Sequence, residues 1–410
     1  MADPAGLRAL PARAIVAALA DAADRWRDAD FPPRVRATAR IRERTGYTEP
    51  VVDAALDRLF GALTRAALTN AICGELGSVD ALDGFVARPG RADGYAAPVG
   101  RVAIVASDTT IGVALVPAAF ALCAKCDVAV RDRGDALCAA FAETLAEERR
   151  ECGAALATHV AAAHDDAAWL AELRAADAVV AFGGDPALRA LRAAAAPQAR
   201  FIAYGHRTSA GYVAREALAT QDGARAVARG AAVDALLYDG DGCLSLHAIF
   251  VERGGEIGVA RFAQMLSHAL DEAAVEFPAA FALPPPRAAS YRAGAAFRAA
   301  VGDGALFAST GRPHVAVLDP PRDEPPPLLP RTVALYGVDG PAEMLAFVRA
   351  HALPLEAVAV AVDRADVERA AIESGAVKLA PFGSLQTPRL EDEHGGIGRI
   401  APFVKWIVRS

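Results

Sequence analysis

Short apolar runs alternate with longer amphipathic stretches along the second quarter of this chain. Residues 101–106, 128–130, 178–182 and 201–204 each have the length and composition of a buried strand. In the stretches around them, apolar positions recur every three or four residues, which predicts helices. Strands and helices that alternate at this spacing predict right-handed crossovers and a mostly parallel, doubly wound sheet. In such sheets the ligand lies at the carboxyl ends of the strands. The predicted helices cover residues 113–124, 135–150 and 222–231, and one more begins at Asp185.

A second block of the same texture follows residue 243. Its predicted strands are residues 247–252, 332–336 and 358–362, and its predicted helices are residues 259–275, 342–351 and 365–374. Helical spacing also dominates the first ninety residues, apart from a loop-rich passage at 77–94. The apolar tail at 403–408 predicts an edge strand that needs a partner, which indicates a homo-oligomer.

Composition and charge narrow the class of protein. The chain has 410 residues, of which 54% are hydrophobic and 23% charged, so it is not intrinsically disordered. A net charge of −7 with no compensating basic stripe argues against a nucleic-acid partner. The longest uncharged run, residues 109–124, is shorter than the roughly 20 apolar residues of a spanning helix, which predicts no transmembrane segment. No secretory signal opens the sequence, so we expect a cytoplasmic protein with free thiols.

The strongest candidate for chemistry is Cys243, which lies in residues 239–245 (DGDGCLS). Gly240 and Gly242 allow a tight turn that brings the thiol and its own amide close to a ligand. A thiol beside a backbone N–H can attack a carbonyl group and stabilise the oxyanion that forms. The alternative interpretation is a buried cysteine in a glycine-rich turn.

Gly183 and Gly184 follow a predicted strand, with Asp185 as a candidate N-cap and Pro186 at the first helical position. A phosphate could approach the helix N-terminus here, although an ordinary strand-to-helix turn uses the same residues. No GxGxxG sequence follows any predicted strand, so the usual dinucleotide fingerprint is absent.

Other polar residues carry weaker signals. Cys123 and Cys126 form a CxxC, which two core thiols explain more simply than a redox pair, and a metal site would need further ligands. His206 and His247 lie near the candidate segments, either as structural residues or as bases. No HExxH, GxSxG or Walker sequence occurs, so zinc protease, serine hydrolase and P-loop functions lose their main support.

Several segments together resemble the aldehyde dehydrogenase superfamily and, within it, the bioluminescence-type fatty acyl-CoA reductases. The resemblance runs from Leu76 to Trp406 and depends on the order and spacing of the segments. They are residues 98–105 (PVGRVAIV), 121–133 (ALCAKCDVAVRDR), 182–186 (FGGDP), 204–209 (YGHRTS), 239–245 (DGDGCLS), 375–383 (GAVKLAPFG) and 393–396 (EHGG).

The resemblance implies an α/β, aldehyde dehydrogenase-like fold with a doubly wound Rossmann-type cofactor domain and an α/β catalytic domain. The boundaries that follow are a helical lead-in at 1–75, a nucleotide-binding domain at 76–237, a catalytic domain at 238–381 and a returning tail at 382–410. The implied catalytic residues are Cys243, Asp108 and Thr109. The implied cofactor-binding residues are Ser107, Arg131, Phe182, Gly183, Gly184 and Asp185, and no metal is implied.

The implied reaction is the reduction of an acyl-CoA, or of an acyl-carrier thioester, to an aldehyde through a cysteine thioester. Arg131 and Arg133 after the second strand favour a 2′-phosphate, so the expected cofactor is NADPH, with NADH as the alternative. A CoA-acylating aldehyde dehydrogenase and an acyl-phosphate reductase would use the same thiol. A degenerate copy that binds acyl groups without catalysis is the non-enzymatic alternative.

Two departures from the superfamily pattern bear on this interpretation. Hydrolytic members carry a water-activating Glu where this chain has residues 203–206 (AYGH), and a thioester reductase does not need that base. The oxyanion Asn of the superfamily falls near Asp108, whose ionised carboxylate would repel an oxyanion. Either Thr109 or Thr110 donates instead, or Asp108 is protonated, or the site works poorly.

Overall fold

The computed structural model describes residues 4–107 and 110–409. Parallel sheets covered by helices dominate this part of the chain, which confirms the predicted α/β class. Two compact units are present. The first contains the residues up to Thr45, Val52–Gly205 and the residues from Arg389 onward, and the second contains Gly46–Val51 and His206–Pro388. The functional domain boundaries drawn from the sequence remain a prediction, because compactness does not show what a unit binds.

The first unit begins with a helical region and continues as a doubly wound sheet. Its helices are α1 (Pro4–Ala9), α2 (Ala12–Arg25), α3 (Pro32–Thr45), most of α4 (Glu49–Ala62), α5 (Arg65–Leu76), α6 (Leu115–Cys123), α7 (Leu137–Glu148), α8 (Arg150–Ala154), α9 (Ala167–Ala175) and α10 (Asp185–Ala194). Local chemistry explains several of their ends. The Thr64 hydroxyl accepts the Ala67 N–H at 3.1 Å and starts α5, and Gly77 ends α5 in a left-handed conformation with φ +83°.

The strands of the first unit form two sheets. They are β1 (Val86–Arg88), β2 (Arg91–Pro98), β3 (Arg101–Val105), β4 (Asp127–Asp132), β5 (Leu156–Val160), β6 (Ala178–Phe182), β7 (Arg200–Tyr204) and, from the tail, β15 (Val404–Arg409). The larger sheet has the order β5-β4-β3-β6-β7 with every pair parallel. From β3 the chain adds β4 and β5 on one side and then β6 and β7 on the other, so the strand order reverses between β3 and β6. Open α/β sheets bind ligands at such a switch point.

The smaller sheet of the first unit contains the predicted edge strand. β15 pairs antiparallel with β2 in the order β1-β2-β15, and Trp406 pairs with Ala96. The tail thus finds a partner strand within its own chain, while Ile407 and Val408 stay exposed. The homo-oligomer remains a prediction.

The second unit is built on one seven-stranded sheet. Its strands are β8 (Thr208–Val213), β9 (Leu246–Glu252), β10 (Ala305–Phe307), β11 (Val315–Leu318), β12 (Thr332–Val338), β13 (Leu355–Val360) and β14 (Lys378–Pro381), and its helices are α11 (Gln221–Leu236), α12 (Val259–Glu276), α13 (Pro286–Ala300), α14 (Pro341–Ala350) and α15 (Ala365–Glu373). The order is β10-β11-β12-β9-β8-β13-β14, and only the β10–β11 pair is antiparallel within this sheet.

An aromatic core supports one face of this sheet. Phe250 and Tyr336 stack at 5.4 Å between ring centroids, and Phe347 from α14 packs on Tyr336 at 4.7 Å. The alternation of side chains along each strand leaves the other face to α11 and α12, which pack against each other. Among the described residues, none of the helices combines the length and the apolar character needed to cross a membrane.

The structure adds elements that the sequence pattern did not predict. β8 and α13 were missed, and α11 runs to Leu236 rather than ending at residue 231. β8 begins with Thr208 and Ser209 and contains Gly211, so its apolar run is too short to stand out. The three consecutive prolines of residues 283–287 (LPPPR) predict a rigid connection, but Pro286 opens α13, where the missing N–H of proline costs nothing.

Candidate active site

A strained turn leads from α11 to the cysteine. Tyr238 and Asp239 both have left-handed backbone angles, with φ values of 57° and 54°, and Gly240 follows at φ +87°. The Asp239 carboxylate holds this conformation by accepting the Ala280 N–H at 3.0 Å and the Nε–H of the buried Arg331. Strain of this kind is typical of functional turns, and only glycine adopts the third position without cost.

Cys243 itself lies in the following turn. The Ser245 N–H donates to the Gly242 carbonyl at 2.9 Å, and the Gly242 N–H donates to the Ser245 hydroxyl at 3.1 Å. The Ser209 hydroxyl, at the start of β8, donates to the Cys243 carbonyl at 2.9 Å. The turn is therefore fixed from both sides just before β9 begins at Leu246.

A segment that follows β14 closes the back of this turn. The buried Asp234 carboxylate on α11 accepts the N–H groups of Gly383 and Leu385 at 2.6 and 3.1 Å. Gln386 then donates from Nε2 to the Ser245 hydroxyl at 3.1 Å. Gly383, the last residue of the 375–383 motif, and the two residues Leu385 and Gln386 beyond it thus connect this segment to α11 and to the turn.

The pKa of the Cys243 thiol is raised, whereas an activated cysteine has a lowered pKa. Burial, and then the negative charge of Glu356, raise the pKa of the Cys243 thiol to about 12, and the amides of Cys243 and Leu244 and the charge of Arg207 only partly oppose them. Glu356 is buried at the start of β13, and its carboxylate lies 3.4 Å from the Arg207 Nε. Cys243 is therefore a protonated thiol at rest.

The histidines near the turn do not supply an obvious base. His247 is buried on β9, and burial lowers its pKa to about 4, although a bond with the Gly240 backbone opposes this shift. His247 is neutral at physiological pH and braces the turn, which favours the structural interpretation. His206 is exposed at the start of the second unit.

In the first unit, the residues with predicted cofactor roles follow the carboxyl ends of neighbouring strands. Ser107 follows β3, Arg131 lies at the end of β4, and Phe182 ends β6 before Gly183 and Gly184. The register pairs Val105 with both Arg131 and Ala181, so these ends share one edge of the sheet. The structure thus brings the six residues together at that edge, and their binding role remains a prediction.

The helix that begins beside the two glycines has a different cap from the predicted one. Gly184 is the N-cap of α10, so Asp185 is the first helical residue and Pro186 the second, and Asp185 makes no side-chain capping bond. A Cβ added at Gly183 or Gly184 would meet only the side chains of Ala187 and Pro186, at 3.5 and 3.9 Å. The backbone is therefore open to a ligand at this helix end.

The two arginines on and after β4 have different environments. Arg133 is buried, donates to the Ser107 carbonyl at 2.9 Å and lies 3.4 Å from Asp135. These bonds make Arg133 a structural residue and remove it from the expected 2′-phosphate pair. Arg131 is partly exposed and donates from Nε to the Ala162 carbonyl at 2.9 Å.

Tyr204 occupies the stretch where hydrolytic relatives carry their base. Its ring stacks on His394 at 4.0 Å and on Phe182 at 4.9 Å between centroids. A cavity beside it holds about 310 Å³ of empty space, its open mouth included, and is lined mainly by apolar residues of α6, β6, β7 and the tail. Within the described chain no carboxylate lines this cavity.

The remaining candidates from the sequence are Asp108, Thr109 and the two cysteines of the CxxC. Asp108 and Thr109 lie outside the described residues. Cys123 and Cys126 are buried, and Cys126 contacts the Phe403 carbonyl at 3.4 Å, as core thiols would. Residues 4–107 and 110–409 contain no group of three His, Cys, Asp or Glu that could hold a metal. Sequence reasoning missed Ser209, Gln386, Arg207 and Glu356, whose separation from Cys243 along the chain gave no local signal.

The architecture of the chain has clear structural relatives. An oxidoreductase from Marinobacter aquaeolei matches with a TM-score of 0.73 at 15% identity, covering 97% of this chain and 86% of the other. The NAD-dependent benzaldehyde dehydrogenase from Corynebacterium glutamicum matches with a TM-score of 0.68 at 16% identity, covering 99% and 88%. The NADP complex of glyceraldehyde-3-phosphate dehydrogenase from Methanocaldococcus jannaschii has a TM-score of 0.68 at 11% identity, covering 98% and 90%. The fold is that of the aldehyde dehydrogenases, as predicted.

The family is more specific than the fold. The model of the acyl-CoA reductase (LuxC) family matches residues 7–406, and the chain belongs to that family. It is thus an oxidoreductase whose substrate class is an acyl thioester, which confirms the activity that the resemblance implied. No curated protein matches the chain significantly.

Proposed function

We propose that this acyl-CoA reductase works through an acyl-enzyme on Cys243 and takes its hydride from NADPH. The observation that carries the proposal is the strained, doubly anchored turn that presents Cys243 in a member of this family. Segments that are distant in the chain hold this one short turn through hydrogen bonds, which is expected where a reacting atom must be positioned.

The chemistry assigned to Cys243 is acyl transfer. The sulfur attacks the thioester carbonyl, a new S–C bond forms, and the S–C bond to CoA breaks. The amides of Cys243 and Leu244 lower the pKa of the thiol, and so stabilise negative charge on the sulfur. Because burial and Glu356 raise that pKa to about 12, the thiol loses its proton as it attacks, and the departing CoA sulfur takes up a proton and leaves as the thiol.

The cofactor site would be the carboxyl edge of the five-stranded sheet. Gly183 and Gly184 leave room for a diphosphate at the start of α10, where the helix dipole favours an anion, and Asp185 is less suited because its carboxylate occupies that turn. Ser107 and Phe182 border the same edge. Arg131 would favour the 2′-phosphate of NADPH over NADH. A bound reduced nicotinamide supplies the hydride that converts an acyl thioester to an aldehyde.

We expect little hydrolysis of the acyl-enzyme, because this chain has Tyr204 in the stretch where hydrolytic relatives carry their water-activating Glu. Tyr204 is held between Phe182 and His394 by ring stacking, and the cavity beside it has no carboxylate among the described residues. Because the water-activating Glu of hydrolytic relatives is missing from this stretch, we expect an acyl-enzyme to survive until it is reduced.

The test is a reduction assay with a long-chain acyl-CoA. We expect the absorbance of NADPH to fall with the wild type, and the rate to drop by roughly a thousandfold or more with Cys243→Ala. Mass spectrometry without NADPH should find the acyl group on the peptide that contains Cys243. An unchanged rate in Cys243→Ala would remove this thiol as the nucleophile.

Acyl trapping and a turnover assay separate the two alternative enzymes. An acyl group transferred from acyl phosphate but not from acyl-CoA would favour an acyl-phosphate reductase. Faster turnover of an aldehyde with CoA and the oxidised cofactor would favour a CoA-acylating dehydrogenase.

A further inference from the structure

An ion pair between the buried Glu356 and the partly exposed Arg207 lies across one strand from the Cys243 turn. Glu356 is the second residue of β13 and is 7% exposed, and Arg207 immediately precedes β8. The Arg207 Nε lies 3.4 Å from the Glu356 carboxylate, and its Nη1 donates to the Leu355 carbonyl at 3.2 Å. A carboxylate buried beside a candidate nucleophile acts on the charge of that thiol, and Arg207 offsets part of its effect.

The sheet register brings the pair close to the cysteine. Ser209 of β8 pairs with Leu246 of β9 on one side and with Ala357 of β13 on the other. The same Ser209 holds the Cys243 carbonyl through its hydroxyl at 2.9 Å. Neighbouring strands are about 4.8 Å apart, so Glu356 on β13 and the Cys243 turn before β9 flank the start of β8 across two strand spacings, roughly 10 Å, a range over which charges in a protein interior still interact.

We propose that the Arg207–Glu356 pair controls the ionisation of Cys243, with Glu356 keeping the resting sulfur a neutral thiol and Arg207 limiting that effect. The inference deepens the function proposed above, since it concerns the same nucleophile. Glu356 opposes a second negative charge beside it, and Arg207 compensates part of the Glu356 charge. Both residues act through Cys243 and are positioning residues.

Other charged or titratable groups around the turn are already accounted for. Asp234 and Asp239 are bound by backbone amides and, for Asp239, by Arg331, and His247 is neutral. Lys378 of β14 pairs in register with Ala357 and so lies on the strand beside Glu356. His206, Tyr238 and Asp241 are further titratable side chains beside the turn, and Tyr212 and Glu252 lie near the far ends of β8 and β9.

The test is the pH profile of Cys243 alkylation by iodoacetamide in the full chain, followed by peptide mass spectrometry. Below the thiol pKa, the rate follows the thiolate fraction and rises tenfold per pH unit. We expect Glu356→Gln to move the profile about one pH unit lower, which is about a tenfold faster reaction at fixed pH. Arg207→Gln should move the profile in the opposite direction.

Two matched controls and one internal control sharpen the measurement. Glu356→Asp keeps the charge and should keep the wild-type profile, and Glu368→Gln removes an exposed carboxylate on α15 and should change nothing. Cys73, the other partly exposed cysteine, lies in the first unit and should alkylate at the same rate in every variant.

Opposite shifts of the two variants are the signature that a merely structural pair would not give. If Glu356→Gln leaves the profile in place or slows alkylation, or if both variants shift it the same way, the proposal is wrong. Should either single variant fail to fold, the double variant Arg207→Gln/Glu356→Gln leaves no unpaired buried charge and must alkylate at least as fast as the wild type.

Acyl transfer provides an independent readout. If Cys243 is alkylated with the expected opposite shifts but takes up no acyl group from acyl-CoA, the function proposed for Cys243 fails and the ion-pair inference survives. If acyl transfer occurs and the alkylation profiles do not shift, the inference fails alone.

Discussion

The two parallel sheets of this protein use opposite edges for their functional candidates. In the five-stranded sheet, Ser107, Arg131 and Gly183 follow carboxyl ends of strands, at the reversal point between β3 and β6. In the seven-stranded sheet, Cys243 and Glu356 lie at the amino ends of β9 and β13. On the proposed assignments, the general rule for open α/β sheets describes the first unit and not the second.

An ion-pair cluster around Glu252 at the carboxyl edge of the second sheet explains the difference. Glu252 ends β9 completely buried, and it accepts hydrogen bonds from Tyr212 at 3.1 Å, from Arg215 at 2.7 Å and from Arg364 at 2.8 Å. These bonds tie the ends of β8 and β9 to the segment that precedes α15. An edge closed by its own ion pairs has little left for a ligand, whereas the amino edge carries the glycine-rich turn.

The largest effect should come from opening that closed edge. Glu252→Gln removes the charge that pairs with Arg215 and Arg364, and we expect a loss of about 2–3 kcal/mol in the free energy of unfolding, discounted because Arg215 is half exposed. Denaturant unfolding measures this, with the acyl-reduction rate of folded protein unchanged. A large loss of activity without a loss of stability would show that the edge is functional.

The same carboxylate makes stability depend on pH. Burial raises the pKa of Glu252, but the hydrogen bonds from Arg215 and Arg364 outweigh it and hold the pKa below its ordinary value. A lowered folded-state pKa contributes stability above the unfolded value of 4.5 and loses it as pH falls through the folded value. Glu252→Gln should flatten that acid dependence.

A smaller effect should mark the carboxyl edge of the first sheet as the cofactor site. Arg131→Met removes a guanidinium beside the expected 2′-phosphate, so we expect the Kd for NADPH to rise about tenfold while the Kd for NADH changes little. Fluorescence titration of both cofactors measures the split. Equal weakening for both cofactors would place Arg131 away from the phosphate and leave the NADPH preference without support.

The smallest effect should come from the amino edge of the second sheet. Ser209→Ala removes the hydroxyl that holds the Cys243 carbonyl, which is a loss of about 1 kcal/mol or a several-fold slower acyl transfer. Rapid-quench measurement of acyl-enzyme formation detects this, and NADPH binding should not change. Unaltered acyl transfer would mean that the turn is held without Ser209.

The sequence by itself determined the local features. Apolar runs and helical spacing predicted β3, β6 and α12 closely, and two glycines around one cysteine identified the Cys243 turn, because strand and helix periodicity and turn chemistry act between near neighbours in the chain. The order of the motifs also indicated the family, and this determined the expected activity.

Only the tertiary structure decided which edge of each sheet carries chemistry and which distant residues meet there. Glu356, Arg207 and Ser209 adjoin Cys243 because β13, β8 and β9 are neighbours in register, a relation fixed by sheet packing and invisible in local patterns. Arg133 looked like a ligand residue next to Arg131, yet it lies just beyond β4, where the Ser107 carbonyl and Asp135 hold it buried, while Arg131 stays partly exposed. Burial and Glu356 likewise keep Cys243 a protonated thiol at rest, since the cost of placing charge in a protein interior depends on what surrounds it.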